Sequence, residues 1–103
     1  MITASSIQDM IQRIVSGFHP RRLVLFGSYA DGTATEQSDI DLLIVTDGGS
    51  QREDALAIRR SLADFPVACD LIVRTQCNYE RQRQHLNHIV YFADKYGRVV
   101  YEQ

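Results

Sequence analysis

Three aspartates stand where their carboxylates could act together on one substrate. Asp39 and Asp41 are separated by one residue at the head of the apolar run 40–45, and Asp70 lies inside a second apolar run, 67–73. Residues i and i+2 of a β-strand project from the same face, so Asp39 and Asp41 are predicted to point the same way. Carboxylates this close repel one another unless a cation neutralises them, and hard oxygen ligands suit Mg2+.

A glycine–serine pair, Gly27–Ser28, directly follows another apolar run at 22–26. Glycine lets a phosphate group approach the backbone, and free N–H groups at the start of a helical turn attract anions. The Ser28 hydroxyl can add one hydrogen bond to a phosphate oxygen. The pair is therefore a candidate phosphate-binding turn.

Each feature also has an ordinary structural interpretation when it is taken alone. A Gly-Ser pair after a strand is usually a simple turn, and an Asp-x-Asp pair is often a solvated strand end. An aspartate inside an apolar strand, such as Asp70, is costly unless an arginine, backbone N–H groups or a cation satisfies it. Together, however, the features fit two-metal phosphoryl transfer, in which three carboxylates hold two cations roughly 3.5–4 Å apart. The third carboxylate, Asp70, can also help to remove a proton from the attacking hydroxyl.

The segment Ser38-Asp39-Ile40-Asp41-Leu42-Leu43-Ile44, together with Gly27-Ser28, resembles the signature of the minimal nucleotidyltransferases of the DNA polymerase β-like superfamily. The resemblance extends from Ile7 to about Glu102. It implies a polymerase β-like fold and an enzyme that transfers a nucleoside monophosphate, AMP from ATP, to an acceptor hydroxyl. By position, the resemblance implies that Asp39, Asp41 and Asp70 are the catalytic, Mg2+-binding acids and that Gly27 and Ser28 bind the nucleotide phosphates.

Many small proteins of this kind are similar to antitoxins that are encoded beside an all-helical HEPN ribonuclease. The resemblance therefore implies a HEPN-type toxin as the partner and a tyrosine of that toxin as the acceptor. Two other functions stay open: a non-catalytic antitoxin that occludes its toxin, and a homodimeric nucleotidyltransferase that acts on a small molecule. The intact set of site residues favours the catalytic interpretation.

Strands alternate with helices along the chain, which predicts an α/β (α+β) domain over residues 1–103 with a mixed sheet under helical cover. Strands are predicted over residues 22–26, 40–45, 67–73 and 98–102. A short helical turn and a loop are predicted over residues 29–38, between the first two strands. Because this link is too short for a crossover helix, those two strands are expected to be antiparallel.

Three longer helices are predicted from apolar residues at helical spacing. The first is capped by Ser5 or Ser6, has an apolar face from Ile7 to Phe18, and is ended by Gly17 and His19-Pro20. The second starts at a Ser50/Glu53 capping box, is marked by Ala55, Ile58, Leu62 and Phe65, and is closed by Pro66. The last follows a polar stretch over 76–84, is capped by Gly97, and has the core-facing stripe Leu86, Ile89, Val90, Ala93 and Tyr96. Tyr91 and Phe92 fall outside this stripe and belong either to a protein interface or to a wider core-facing surface.

Composition and charge restrict the class of protein further. A chain of 103 residues can build one core. A net charge of -2 and a pI near 5.8 do not favour binding to bulk nucleic acid or to anionic membranes. No apolar run could cross a bilayer, and Met1-Ile2-Thr3-Ala4 does not resemble a signal peptide. Cys69 and Cys77 form no CxxC motif, so reduced thiols and a cytoplasmic location are expected.

Overall fold

Four strands form one mixed sheet in the order β3-β2-β1-β4 within residues 3–103, which the computed structural model describes. The strands are β1 (Arg22–Phe26), β2 (Ile40–Thr46), β3 (Cys69–Thr75) and β4 (Arg98–Glu102). The helices are α1 (Ala4–Phe18), α2 (Ser28–Asp31), α3 (Gln51–Ser61), α4 (Gln76–Gln82) and α5 (Ile89–Tyr96). β1 is antiparallel to both β2 and β4, whereas β2 and β3 are parallel. The mixed sheet and the antiparallel first pair are therefore confirmed.

One face of the sheet is covered by α1 and α3. Alternate residues of β1, β2 and β3 point to this side and pack against Met10, Ile11 and Ile14 of α1 and Ile58 of α3. Ile7, Val15 and Phe18 are half-buried against the same cluster, so the predicted apolar face of α1 is confirmed. The intervening polar positions of α1 remain in solvent, as expected for an amphipathic helix on a sheet.

The opposite face is covered by α4 and α5 at one end. Val24, Leu43 and Val45 of the sheet pack there against Tyr79 of α4 and against Val90 and Ala93 of α5. Phe26 and Ile72 lie at the border of this cluster and are half-buried. The end of this face that carries residue 41 of β2 and residue 70 of β3 is more open to solvent.

The predicted N-cap of α1 is wrong. The helix starts earlier than expected because the Thr3 hydroxyl accepts a hydrogen bond from the Ser6 N–H at 3.2 Å. Gly17 does not end the helix, which continues to Phe18 and closes at His19 in the left-handed conformation. Ser50 caps α3 as predicted, accepting from the Glu53 N–H at 3.1 Å.

The bounds of α3 and β3 also differ from the prediction. α3 ends at Ser61, so Phe65 lies beyond the helix, in the bend that leads to Pro66. β3 starts at Cys69 and runs to Thr75, two residues later at each end than expected, because Val67 and Ala68 complete the connection after Pro66.

The second half of the chain contains a helix that was not predicted. The polar stretch that begins at Gln76 forms α4, which the Thr75 side chain caps by accepting from the Asn78 N–H at 3.3 Å. The predicted core stripe of α5 is wrong for three of its five residues, since only Val90 and Ala93 are buried and Leu86, Ile89 and Tyr96 are exposed. Gly97 follows α5 as its C-cap, and β4 has the predicted bounds. Across residues 3–103, none of the helices is both long enough and apolar enough to span a bilayer.

Candidate active site

Parallel pairing of β2 and β3 places two of the predicted acids side by side. Asp41 is the register partner of Asp70 across the two strands. Their neighbours Leu42 and Leu71 belong to the cluster under α1 and α3, so the two carboxylates lie on the opposite face of the sheet. Because opposed residues on adjacent strands are close neighbours, two carboxylates separated by 29 positions in the sequence (70 − 41) meet at one point.

Asp70 differs from the prediction in its exposure. It was expected as a charge within an apolar strand, but its side chain is exposed, whereas Asp41 is half-buried. β3 is an edge strand of the sheet, and the helices on this face do not extend over its first residues. Asp70 therefore needs no buried arginine to compensate it, and its carboxylate is accessible from solvent.

The environment of Asp41 disfavours its negative charge. Burial raises the pKa of the Asp41 carboxyl, and the neighbouring charge of Asp70, a hydrogen bond with Asp70 and the charge of Asp39 raise it further. Asp39 lies one residue before β2 and is exposed. The structure thus brings Asp41 and Asp70 together and places Asp39 close enough for its charge to act on Asp41.

The Gly27 turn meets the same carboxylate. Phe26, the last residue of β1, is paired with Asp41, and Gly27 follows it with φ 72° and ψ -154°. A Cβ atom at this position would overlap Asp41 Oδ2 and lie 3.1 Å from its Cγ. Gly27 is therefore required both by its backbone conformation and by the approach of Asp41. Ser28, half-buried, begins α2 immediately afterwards.

The donor set fits a divalent cation by its chemistry. Two adjacent carboxylates with a third acid nearby concentrate negative charge, and the charges of Asp70 and Asp39 add to burial in raising the pKa of Asp41. As the side chains stand, no three histidine, cysteine or acidic residues in the described range 3–103 are grouped closely enough to hold a metal ion. The pair Asp41–Asp70 is thus the part of the predicted ligand set that the fold assembles.

A cavity of about 390 Å³ adjoins the Gly27 turn, and the sequence did not predict it. Its lining consists of Phe26, Gly27, Asp31, Ile89, Phe92 and Tyr96. Phe92 and Tyr96 are four residues apart on α5, and this spacing was a signal that they share a helix face. That signal was misinterpreted for Tyr96, which was expected in the core.

A family of known proteins matches most of the chain. The family model described as "Nucleotidyltransferase domain" matches residues 7–96 of the sequence. The chain belongs to the nucleotidyltransferase domain family. The prediction of a nucleotidyltransferase from Gly27-Ser28 and the Asp39/Asp41 segment is thereby confirmed.

Individual relatives agree with this membership. The chain is 46% identical over 44 residues to the "Putative protein adenylyltransferase" of Methanocaldococcus jannaschii, a match that covers 41% of this chain and 44% of that protein, less than half of its length. A crystal structure of a "putative nucleotidyltransferase" from Sulfolobus solfataricus superposes with a TM-score of 0.66 at 19% identity, covering 96% of this chain and 79% of the other.

A second crystal structure of a "putative nucleotidyltransferase" gives a TM-score of 0.59 at 20% identity, covering 92% of this chain and 98% of the other. At these identities the structural likeness concerns the fold. It confirms the predicted mixed α/β nucleotidyltransferase fold, and the roles of individual residues, the metal and the partner are proposals.

Proposed function

We propose that this protein transfers AMP from ATP to a hydroxyl group on a partner protein. The observation that carries the proposal is the meeting of Asp41, Asp70 and the Gly27 turn at the open end of one sheet face. Membership of the nucleotidyltransferase family supports the reaction type. The M. jannaschii relative, whose name describes a protein adenylyltransferase, supports AMP as the group transferred and a protein as the acceptor.

Asp39, Asp41 and Asp70 are the residues that would hold Mg2+. A bound Mg2+ would neutralise the phosphate charge and position the reacting oxygens. The carboxylate pair supports this assignment because Asp41 and Asp70 are partners on adjacent strands, and burial together with the charge of Asp70 raises the pKa of Asp41. The remaining contribution to catalysis is that the protein's own residues hold the reacting groups in position.

The chemical step is an in-line displacement at the α-phosphorus of ATP. The acceptor hydroxyl oxygen forms a bond to that phosphorus, the bond from the phosphorus to the β-phosphate bridging oxygen breaks, and pyrophosphate leaves. Asp70, accessible at the edge of the sheet, takes the proton of the attacking hydroxyl. Gly27 keeps the backbone free of a side chain beside Asp41, and Ser28 donates a hydrogen bond to a phosphate oxygen.

The proposed partner is a HEPN-type toxin, and the proposed acceptor is one of its tyrosines. The sequence resemblance to antitoxins of this class motivates this part of the proposal. In this role the protein acts as an antitoxin, since the added AMP would silence the ribonuclease.

The test is an assay of AMP transfer to the product of the neighbouring gene. The two proteins are incubated with ATP and Mg2+, and the partner is analysed by mass spectrometry for added AMP on a tyrosine. We expect the adduct with the wild type and a loss on the order of 100-fold or more with the Asp39→Asn/Asp41→Asn variant. The matched control is Asp47→Asn, which removes an acid beyond the other end of β2, where it pairs with Arg21, and should leave transfer unchanged.

The same assay separates catalysis from occlusion. If the wild type forms no adduct and the double variant still inhibits the partner fully, the protein acts by binding and the proposal of transfer is wrong. If the adduct forms and inhibition requires Asp39 and Asp41, transfer is the mechanism.

A further inference from the structure

Helix α5 exposes apolar side chains to solvent beside the proposed active site. Ile89, Phe92 and Tyr96 are exposed, Phe92 by 57% and Tyr96 by 61%, although large apolar rings are usually shielded from water. Neither ring has a role in the chemistry described above. Both line the 390 Å³ cavity, whose lining also includes Phe26 and Gly27.

The two rings form a small aromatic platform. Their centroids are 4.9 Å apart and their planes are tilted by 47°. Purine and pyrimidine bases stack on aromatic side chains regardless of base identity, because every base has a π-face. A cavity of this volume falls within the range of small-molecule sites, which are mostly apolar with a few polar groups that fix orientation.

The cavity is continuous with the phosphate turn because Gly27 belongs to both. Phe26, at the cavity wall, is the strand partner of Asp41. Asp31 supplies one carboxylate to the lining, and hydrogen bonds from the Thr33 N–H (3.0 Å) and hydroxyl (2.6 Å) hold its Oδ1. A ligand whose phosphates bind at Gly27-Ser28 therefore has an adjoining apolar space with a hydrogen-bond acceptor for a sugar hydroxyl.

We propose that this cavity is the nucleoside subsite, in which Phe92 and Tyr96 bind the base of the nucleotide whose phosphates Gly27 and Ser28 bind. The proposal rests on the proposed function for the phosphate position. The shared wall with Gly27 favours a nucleotide over a protein segment as the occupant. Phe92 and Tyr96 then form part of the substrate site and not of the protein interface considered for Phe92 from the sequence.

The experiment compares two ligands that differ only by the nucleoside. Binding of ATP and of inorganic tripolyphosphate, each with Mg2+, is measured by titration calorimetry on the wild type and on Phe92→Ala and Tyr96→Ala. We expect each substitution to weaken ATP binding about tenfold, with tripolyphosphate binding unchanged. Phe92→Tyr and Tyr96→Phe keep the rings and should restore ATP affinity.

The matched control is Leu86→Ala. Leu86 is 72% exposed just before α5 and does not line the cavity, so its truncation should leave ATP affinity unchanged. Because Phe92 and Tyr96 are also largely exposed, their truncation should not unfold the domain, and circular dichroism verifies this. ATP affinity that is unchanged in both alanine variants overturns the proposal, as does an equal loss for ATP and tripolyphosphate.

Other outcomes distinguish this proposal from the proposed function. If both alanine variants lose binding to the partner protein while ATP affinity is kept, Phe92 and Tyr96 belong to a protein-docking surface and the subsite proposal is wrong. If ATP binds with the expected dependence on the rings but no AMP is transferred to a protein, the subsite stands and the proposed function fails. If the wild type binds neither ligand, both proposals fail.

Discussion

Gly27 is the residue on which the geometry of the site depends most directly. Its φ/ψ combination is essentially restricted to glycine, and Asp41 Oδ2 occupies the space of a side chain. We expect Gly27→Ala to cost about 1–3 kcal/mol in the free energy of unfolding and to reduce AMP transfer by at least an order of magnitude. Chemical denaturation and the transfer assay measure the two effects.

Gly32 is the matched control for this substitution. It also has a positive φ, 84°, but no atom lies within 4 Å of a Cβ placed there. Gly32→Ala should therefore lose about 1 kcal/mol of stability from backbone strain alone and keep its activity. Equal loss of activity in both variants would show that strain, and not the displacement of Asp41, reduces transfer.

The carboxylate pair makes the stability of the domain depend on pH. The pKa of Asp41 is raised, chiefly by burial and then by Asp70, so ionisation of Asp41 disfavours the folded state. The stabilising contribution of the protonated form is present below the ordinary carboxyl pKa and is lost as the pH rises through the raised value. Asp70→Asn removes one of the causes, so we expect it to lower the pKa of Asp41 and to raise the Tm at neutral pH.

Carbon-13 NMR titration of the Asp41 carboxyl carbon measures the first effect, and calorimetry between pH 3 and 8 measures the second. Asp47→Asn is the control, because that acid pairs with Arg21 on the protein surface. An unchanged pKa of Asp41 in Asp70→Asn would mean that burial and Asp39 raise it without Asp70 and that the two paired carboxylates do not interact.

At the scale of the elements, Tyr79 connects α4 to the rest of the fold. The side chain is buried, its hydroxyl is hydrogen-bonded to Asp94 of α5, and Arg22 of β1 donates to that hydroxyl at 3.1 Å. Arg83 also contacts Asp94, at 3.2 Å, and lies over the Tyr79 ring. One phenol thus joins two helices and a strand.

Removing the Tyr79 hydroxyl should therefore destabilise the domain. We expect Tyr79→Phe to cost about 1.5–3 kcal/mol, the range for a hydrogen bond to a charged group. Tyr91→Phe is the control, because the Tyr91 hydroxyl accepts only from the exposed Lys95 in the contacts described, and we expect a change below about 1 kcal/mol. Urea unfolding measures both, and equal losses would contradict a special role of Tyr79.

The contact between Tyr79 and Asp94 makes the stability of the domain depend on pH in the alkaline range. Burial, the hydrogen bond to Asp94 and its charge raise the pKa of Tyr79 to about 12, above its usual value of 10.0. The stabilisation is complete below pH 10 and declines as the pH rises towards 12. Thermal unfolding between pH 9 and 12 should show a steeper loss for the wild type than for Tyr79→Phe, and parallel curves would contradict this.

The elements that sequence reasoning located well are those with a dense apolar run between strong breakers. β1 lies between His19-Pro20 and Gly27 and has the predicted bounds. α4 was missed because Tyr79 is its one buried residue, so the helix has no apolar stripe to detect. The stripe of α5 was assigned too widely because this eight-residue helix covers only one end of the sheet, which leaves Ile89 and Tyr96 exposed.

The site shows the same division between local and non-local information. The alternation of a strand is local, so the sequence could predict that Asp41 and Leu42 project from opposite faces of β2. The contact between Gly27 and Asp41 and the solvent exposure of Asp70 depend on strand register and on which strand lies at the edge. The cavity depends on where α5 crosses the sheet, which no local pattern specifies.

At the scale of the whole molecule, one face of the sheet forms the main core and the other carries the candidate site. The face under α1 and α3 holds the larger of the two apolar clusters, with more buried side chains than the other face. The other face is covered at one end by α4 and α5, and its other end carries Asp41 and Asp70. The fold therefore tolerates repelling charges at the site because its main core lies on the opposite side of the sheet.

We expect Mg2+ that binds at Asp41 and Asp70 to raise the stability of the whole domain. Binding to the folded state alone should add about 1.4 kcal/mol at a tenfold excess over the Kd, a rise of several degrees in Tm for a domain of this size. In Asp41→Asn/Asp70→Asn we expect a higher Tm without Mg2+, because the repulsion is gone, and no rise when Mg2+ is added. Calorimetry with EDTA, with MgCl2, and with NaCl at matched ionic strength separates site binding from screening. Equal shifts in both proteins would show that Mg2+ acts elsewhere on the surface and that this carboxylate pair is not its site.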